Sequence, residues 1–196
     1  MHSALKNEWK EGQEKHVSLS DHEPEALEGY INWLYTKQVT LKTSEDKCKY
    51  HDASCNQEVQ DSYCSHKQSL KLVKMYTLGD YLNDMQFCNA VIDTMALMRG
   101  CPPGIGTIKW VRDHTMQDCP VRAYILEEWS GTISNSHAIQ ILRDQSSKVS
   151  KEFLIDLLAL TGTGHHSEIG KLFRTQRSEV KGCKFHRHMD DSNKCG

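Results

Sequence analysis

The sequence has no excess of charge of one sign, no long apolar run and no complete catalytic signature, and each lack removes a class of function. Lys and Arg number 24 against 26 Asp and Glu in 196 residues, a formal charge of -2 at pH 7. That balance gives no electrostatic argument for nucleic acid or a membrane surface as partner. No segment approaches the roughly 20 apolar residues that cross a bilayer. The opening Met1-His2-Ser3-Ala4-Leu5-Lys6 lacks the apolar core of a secretion signal. A soluble, intracellular protein is expected, cytoplasmic, nuclear or both, long enough to bury a real core.

Catalytic motifs fail in identifiable ways. Gly104-Ile105-Gly106 follows Pro102-Pro103 instead of a strand, so it is no dinucleotide fingerprint. Between Gly164 and Gly170-Lys171 lies one residue too many for a phosphate loop, and Leu172 stands where a magnesium-binding hydroxyl belongs. His165-His166 is a pair without a third ligand at helical spacing. The chain is therefore not expected to be an enzyme, and it requires no cofactor.

What is present begins with Val17 to Leu41, a strand, a helix and a second strand in the expected reading. Val17 and Leu19, then Val39 and Leu41, alternate with polar residues as a half-buried strand does. Pro24 suits a first helical position, and Glu25 and Glu28 lie at the positive helix end. Ala26, Leu27, Tyr30, Ile31 and Leu34 recur at three- and four-residue steps and predict one buried stripe, widened by Trp33 and Tyr35.

Ser69 to Arg99 predicts a helical hairpin. Leu70, Val73 and Thr77 form one row and Leu72, Met75, Tyr76 and Gly79 another, with Leu78, Tyr81 and Leu82 continuing the surface. Asn83-Asp84 breaks and recaps the chain. The second helix carries Phe87, Val91, Met95 and Met98 on one face beside Cys88 and Ile92, and ends at Gly100 before the prolines. Cys88 on the apolar side reads as a buried thiol.

The Pro-started helix with its WLYT ending, and the stretch LVKMYTLGDYLNDMQFCNAVID from Leu72 onward in the second block, resemble the BTB/POZ family, in particular its fungal members. The resemblance implies a module that dimerises and recruits partners. It implies a fold class of α+β, predominantly helical, with a partial BTB/POZ core over residues 1–100. Met1 to Glu14 reads as the end of a helix, so the chain resembles a core that starts halfway through, N-terminally truncated against the family. Dimerisation is expected only where the missing half is present. Lys37 departs from the family, which has glycine at that turn.

Trp9-Lys10-Glu11 resembles the hydrophobic-x-Glu motif with which BTB adaptors bind a cullin scaffold. Trp9 and Glu11 are the candidate partner-binding residues, with Trp9 as an ordinary core residue the competing reading. The function implied is an adaptor or scaffold, in its specific version one for cullin-based ubiquitin ligation.

Residues 42–68 are polar and without a period, and read as a Cys-rich inserted loop. Cys48, His51, Cys55, Cys64 and His66 fall inside it at spacings that match no short zinc knuckle. Residues 101–182 read as a helical extension: Thr107 to His114, Cys119 to Ser130 opened by Asp118 and Pro120, an ambiguous Ser134 to Lys148, Lys151 to Leu160 stopped at Gly162, and a last helix over Gly164 to Val180. The first pieces again resemble the helical tail of fungal BTB proteins. Residues 183–196 form a Cys/His tail in which Cys183, His186, His188 and Cys195 can satisfy a tetrahedral zinc. A polar terminus without metal is the alternative. If zinc is bound, the second functional reading is a zinc-stabilised nuclear regulatory protein whose Cys/His segments contact a partner or nucleic acid.

Overall fold

The computed structural model describes residues 19–41, 57–98, 102–132, 136–162 and 185–187. These residues hold seven α-helices and no strand: α1 Pro24–Thr36, α2 Gln57–Tyr81, α3 Met85–Leu97, α4 Ile105–His114, α5 Pro120–Thr132, α6 Ser136–Asp144 and α7 Lys151–Gly162. A 3-10 turn, Ser146–Lys148, joins the last two. The predominantly helical expectation holds. The expected second strand does not: Val39 to Leu41 is irregular. Its alternation is nonetheless real, since Val39 and Leu41 pack against the core while Thr40 is exposed and accepts a hydrogen bond from Asn32 Nδ2 at 2.7 Å. Burial of alternate side chains needs only an extended backbone, not a paired ladder. Of the first expected strand, only Leu19 lies among the described residues.

α1 begins at Pro24, as the fixed φ of proline favours, and stops at Lys37, which takes the left-handed conformation (φ 56°, ψ 22°) while its N–H donates to Trp33 O at 2.7 Å. Its buried face is Ala26, Gly29, Tyr30 and Trp33. The expected stripe is therefore displaced by about one residue around the helix, and Ile31, Leu34 and Tyr35 face outward. Gly29 explains the rotation. A Cβ there would lie 2.3 Å from Met75 Cε, so the missing side chain is what lets α1 sit closely on α2.

α2 starts at Gln57, twelve residues before the expected Ser69. The expected loop thus gives way to helix over residues 57–68, and its remainder lies outside the described residues. The early turns are rich in Gln, Glu, Asp and Ser, so no apolar period marks them in the sequence. At its other end α2 closes as a Schellman motif. Asp84 N–H donates to Gly79 O at 2.8 Å and Asn83 N–H to Asp80 O at 3.0 Å, with Asn83 left-handed at φ 52°. Asp84 then caps α3 by accepting the Phe87 N–H at 3.0 Å. The expected break and recap is the observed one.

α2 is the central element, with α1, α3 and α4 packed on it, while α5 joins α4 to α7. Leu72, Val73, Tyr76, Leu78, Phe87, Val91 and Ile92 have no exposed surface. One hydrophobic cluster continues from these into Ile108, Val121, Tyr124, Ile125, Trp129 and Leu157. Across the proline break, Trp129 Nε1 donates to Pro103 O at 2.9 Å. Arg122 staples the α4–α5 turn by donating to Thr115 Oγ1 at 2.9 Å and Arg112 O at 2.6 Å. Of the ambiguous Ser134 to Lys148 stretch, the described residues, 136–148, form α6 and the 3-10 turn. The expected last helix over Gly164 to Val180 lies outside the described residues. No helix among the described residues is long and apolar enough to cross a membrane.

Candidate functional site: a held tripeptide and an exposed helix face

Of the residues singled out from the sequence, Trp9, Glu11, Cys48, His51, Cys55, Cys183, His188 and Cys195 lie outside the described residues. Cys64 falls on α2, but its side chain is not described. His186 is described, and its surroundings bear on the zinc expectation. Its side chain is 4% exposed, and Nε2 lies 3.0 Å from Asp93 Oδ1 on α3. No group of three His, Cys, Asp or Glu side chains able to hold a metal occurs among the described residues.

His186 belongs to a tripeptide seated on the helical core. Phe185 is buried edge-on against Tyr124 of α5, with ring centroids 5.5 Å apart and planes at 89°. Such perpendicular pairs bring a positive ring edge to a negative face. Arg187 is gripped through its backbone: its N–H donates to Asn89 Oδ1 and its C=O accepts from Asn89 Nδ2, both at 3.0 Å. Its guanidinium donates to the Asp80 carboxylate and reaches Cys119 Sγ at 3.7 Å. Asn89 and Asp93 are four residues apart, which places both on one face of α3. Asp80 comes from the last turn of α2. Three helices therefore converge on three tail residues.

Beneath this site lie two free thiols, both buried. Cys88 Sγ donates to Tyr76 O at 3.7 Å, and burial pushes its pKa well above the ordinary thiol range, because a thiolate there would lose its hydration. Cys88 is thus the buried thiol that its place on the apolar face of α3 implies. Cys119 Sγ donates to the Tyr76 hydroxyl at 3.5 Å, and burial foremost raises the Tyr76 pKa.

A second feature is the outward face of α1. Ile31, Leu34 and Tyr35 are 45%, 39% and 87% exposed. Ile31 and Tyr35 line a groove of about 950 Å³ that also involves Glu28, Thr40, Leu41 and Lys71. Lys71 bridges to Glu25 at 3.2 Å across that groove, joining α2 to α1.

Sequence reasoning did not single out Asp80, Asn89, Asp93, Phe185 or Arg187. The one signal available was the polar pair Asn89 and Asp93 on the flank of an otherwise apolar helix. No protein-family model, curated protein or solved structure matches the chain.

Proposed function

We propose that the chain is a protein-interaction module, an adaptor or scaffold of the BTB kind that its WLYT helix and its LVKMYTLGDYLNDMQFCNAVID stretch resemble. The observation that supports this reading is the apolar outer face of α1. Ile31, Leu34 and Tyr35 stand at i, i+3 and i+4 in water, although the opposite face of the same helix is sealed on α2 and α3. Full burial of such a side chain is worth about 1.5–3 kcal/mol. Ile31 and Leu34 already bury more than half of their surface and Tyr35 little of it, so a partner protein that covers them gains the remainder, most of it at Tyr35.

The specific version is a cullin scaffold as partner, with Trp9 and Glu11 as the motif-like docking residues and the α1 face as a further apolar contact surface. Co-purification with a cullin from cells tests it. Ile31→Ser combined with Tyr35→Ser is expected to weaken recovery by about tenfold, the equivalent of about 1.4 kcal/mol, and Trp9→Ala combined with Glu11→Ala is expected to abolish it. Recovery that survives both double variants overturns the cullin version.

A further inference from the structure

We propose that the surface formed by Asp80, Asn89, Asp93, Cys119 and Tyr124 is a peptide-recognition site for an aromatic-x-Arg segment of a partner protein, which this chain's own Phe185-His186-Arg187 fills in cis. The inference is independent of the α1 face and of any cullin.

The geometry reads backbone and side chains separately. Asn89 presents a donor and an acceptor to the N–H and C=O of one residue, at 3.0 Å each. Both groups belong to the backbone, so this grip is blind to the side chain of the residue it holds. Specificity comes from the flanks. Tyr124 offers an aromatic ring, perpendicular to its guest, two residues before the gripped position. Asp80 takes the guanidinium at the gripped position through a charge-assisted bond. Asp93 takes a ring nitrogen at the residue between. An aromatic side chain followed two positions later by arginine is therefore the chemistry that fits, with a hydrogen-bond donor between them.

The receptor residues do not depend on the tail for their positions. Asp80, Asn89 and Asp93 are carried by α2 and α3, whose mutual packing buries Leu78, Phe87, Cys88, Val91 and Ile92. Tyr124 and Cys119 are buried in the same cluster. A site preformed on rigid helices loses little entropy of its own on binding a short peptide. The tail then acts as an intramolecular competitor, favoured over a free peptide because it belongs to the same chain.

The test uses the full chain carrying Phe185→Ala and Arg187→Ala, which removes the tail's aromatic and guanidinium contacts, weakens it as a competitor and leaves the receptor residues unchanged. A fluorescent peptide of residues 184–189 is titrated by anisotropy. It is expected to bind this variant at least about tenfold tighter than wild type, where the tail competes. Adding Asn89→Ala to the receptor, or replacing the peptide's phenylalanine or arginine with alanine, is expected to cost about tenfold or more. Equal binding to wild type and variant, indifference to Asn89→Ala, or no binding overturns the proposal. Should the variant fail to fold, amide exchange at Arg187 in the wild-type chain decides. Saturating peptide is expected to speed it by about tenfold and a scrambled peptide to leave it unchanged; the same rate with both overturns the site.

Discussion

The hydroxyl of Tyr30 donates to Asp84 Oδ2 at 3.0 Å, joining α1 to the first turn of α3 across 54 residues of sequence. The other oxygen of that carboxylate accepts the Phe87 N–H. One side chain therefore caps a helix and clamps another. Tyr30→Phe is expected to cost about 1 kcal/mol, the worth of one hydrogen bond. Asp84→Ala is expected to cost about 2 kcal/mol, because the cap is lost with the clamp. Urea unfolding of both singles and the double checks this, with a coupling of about 1 kcal/mol expected between the sites.

The same pair gives an alkaline signature. Burial foremost, and then the hydrogen bond to Asp84, push the Tyr30 pKa up to about 12. The folded value thus lies above the unfolded value of about 10. Its contribution to stability is fully present below about pH 10 and is lost as pH rises through about 12. Phenolate absorbance during an alkaline titration is expected to show two tyrosines ionising late, Tyr30 and the more deeply buried Tyr76, and Tyr30→Phe is expected to remove the earlier of the two.

Two glycines at helix crossings are expected to respond differently to alanine. A Cβ on Gly79 would lie 2.8 Å from Phe87 Cδ1 and 2.9 Å from Cys88 Sγ, both fully packed groups. Alanine adds about 1 kcal/mol of helix propensity, but overpacking costs about 1–3 kcal/mol, so Gly79→Ala is expected to destabilise by up to about 2 kcal/mol. At Gly29 the obstacle is the thioether end of Met75, which is unbranched and can turn aside. Gly29→Ala is expected to cost less than Gly79→Ala, and thermal midpoints of the two variants settle the order.

Lys37 carries a φ of 56° that glycine adopts without strain, yet its Nζ lies 4.2 Å from the centroid of the Trp33 ring. Release of the strain is worth about 1 kcal/mol, and loss of an exposed cation–π contact costs about 0.5 kcal/mol. Lys37→Gly is therefore expected to stabilise the fold slightly, by about 0.5 kcal/mol. A lower denaturation midpoint for this variant would show that the ring contact outweighs the strain.

Much of the helical core was legible in the sequence. Phe87, Cys88, Val91, Ile92 and Met95 form the buried face of α3 as their spacing predicts, and Asn83-Asp84 makes the expected recap. These are local matters, because a period of 3.6 residues and a short polar cap act within one or two turns. The start of α2 was not legible, since no apolar residues at helical spacing mark residues 57–68.

Which face of α1 is buried, and what the tail touches, belong to another level. Tyr30, Ile31, Trp33 and Leu34 are all apolar enough to face a core, and their spacing admits either rotation. The close approach of Gly29 to Met75 decided between them. Asn89 and Arg187 are 98 residues apart, and nothing in either one's neighbourhood announces the other. The sequence by itself determined where most helices form and stop, the start of α2 excepted, because propensity and capping are local. Only the tertiary structure decided which surfaces are left to bind, because exposure is whatever packing between distant elements leaves uncovered.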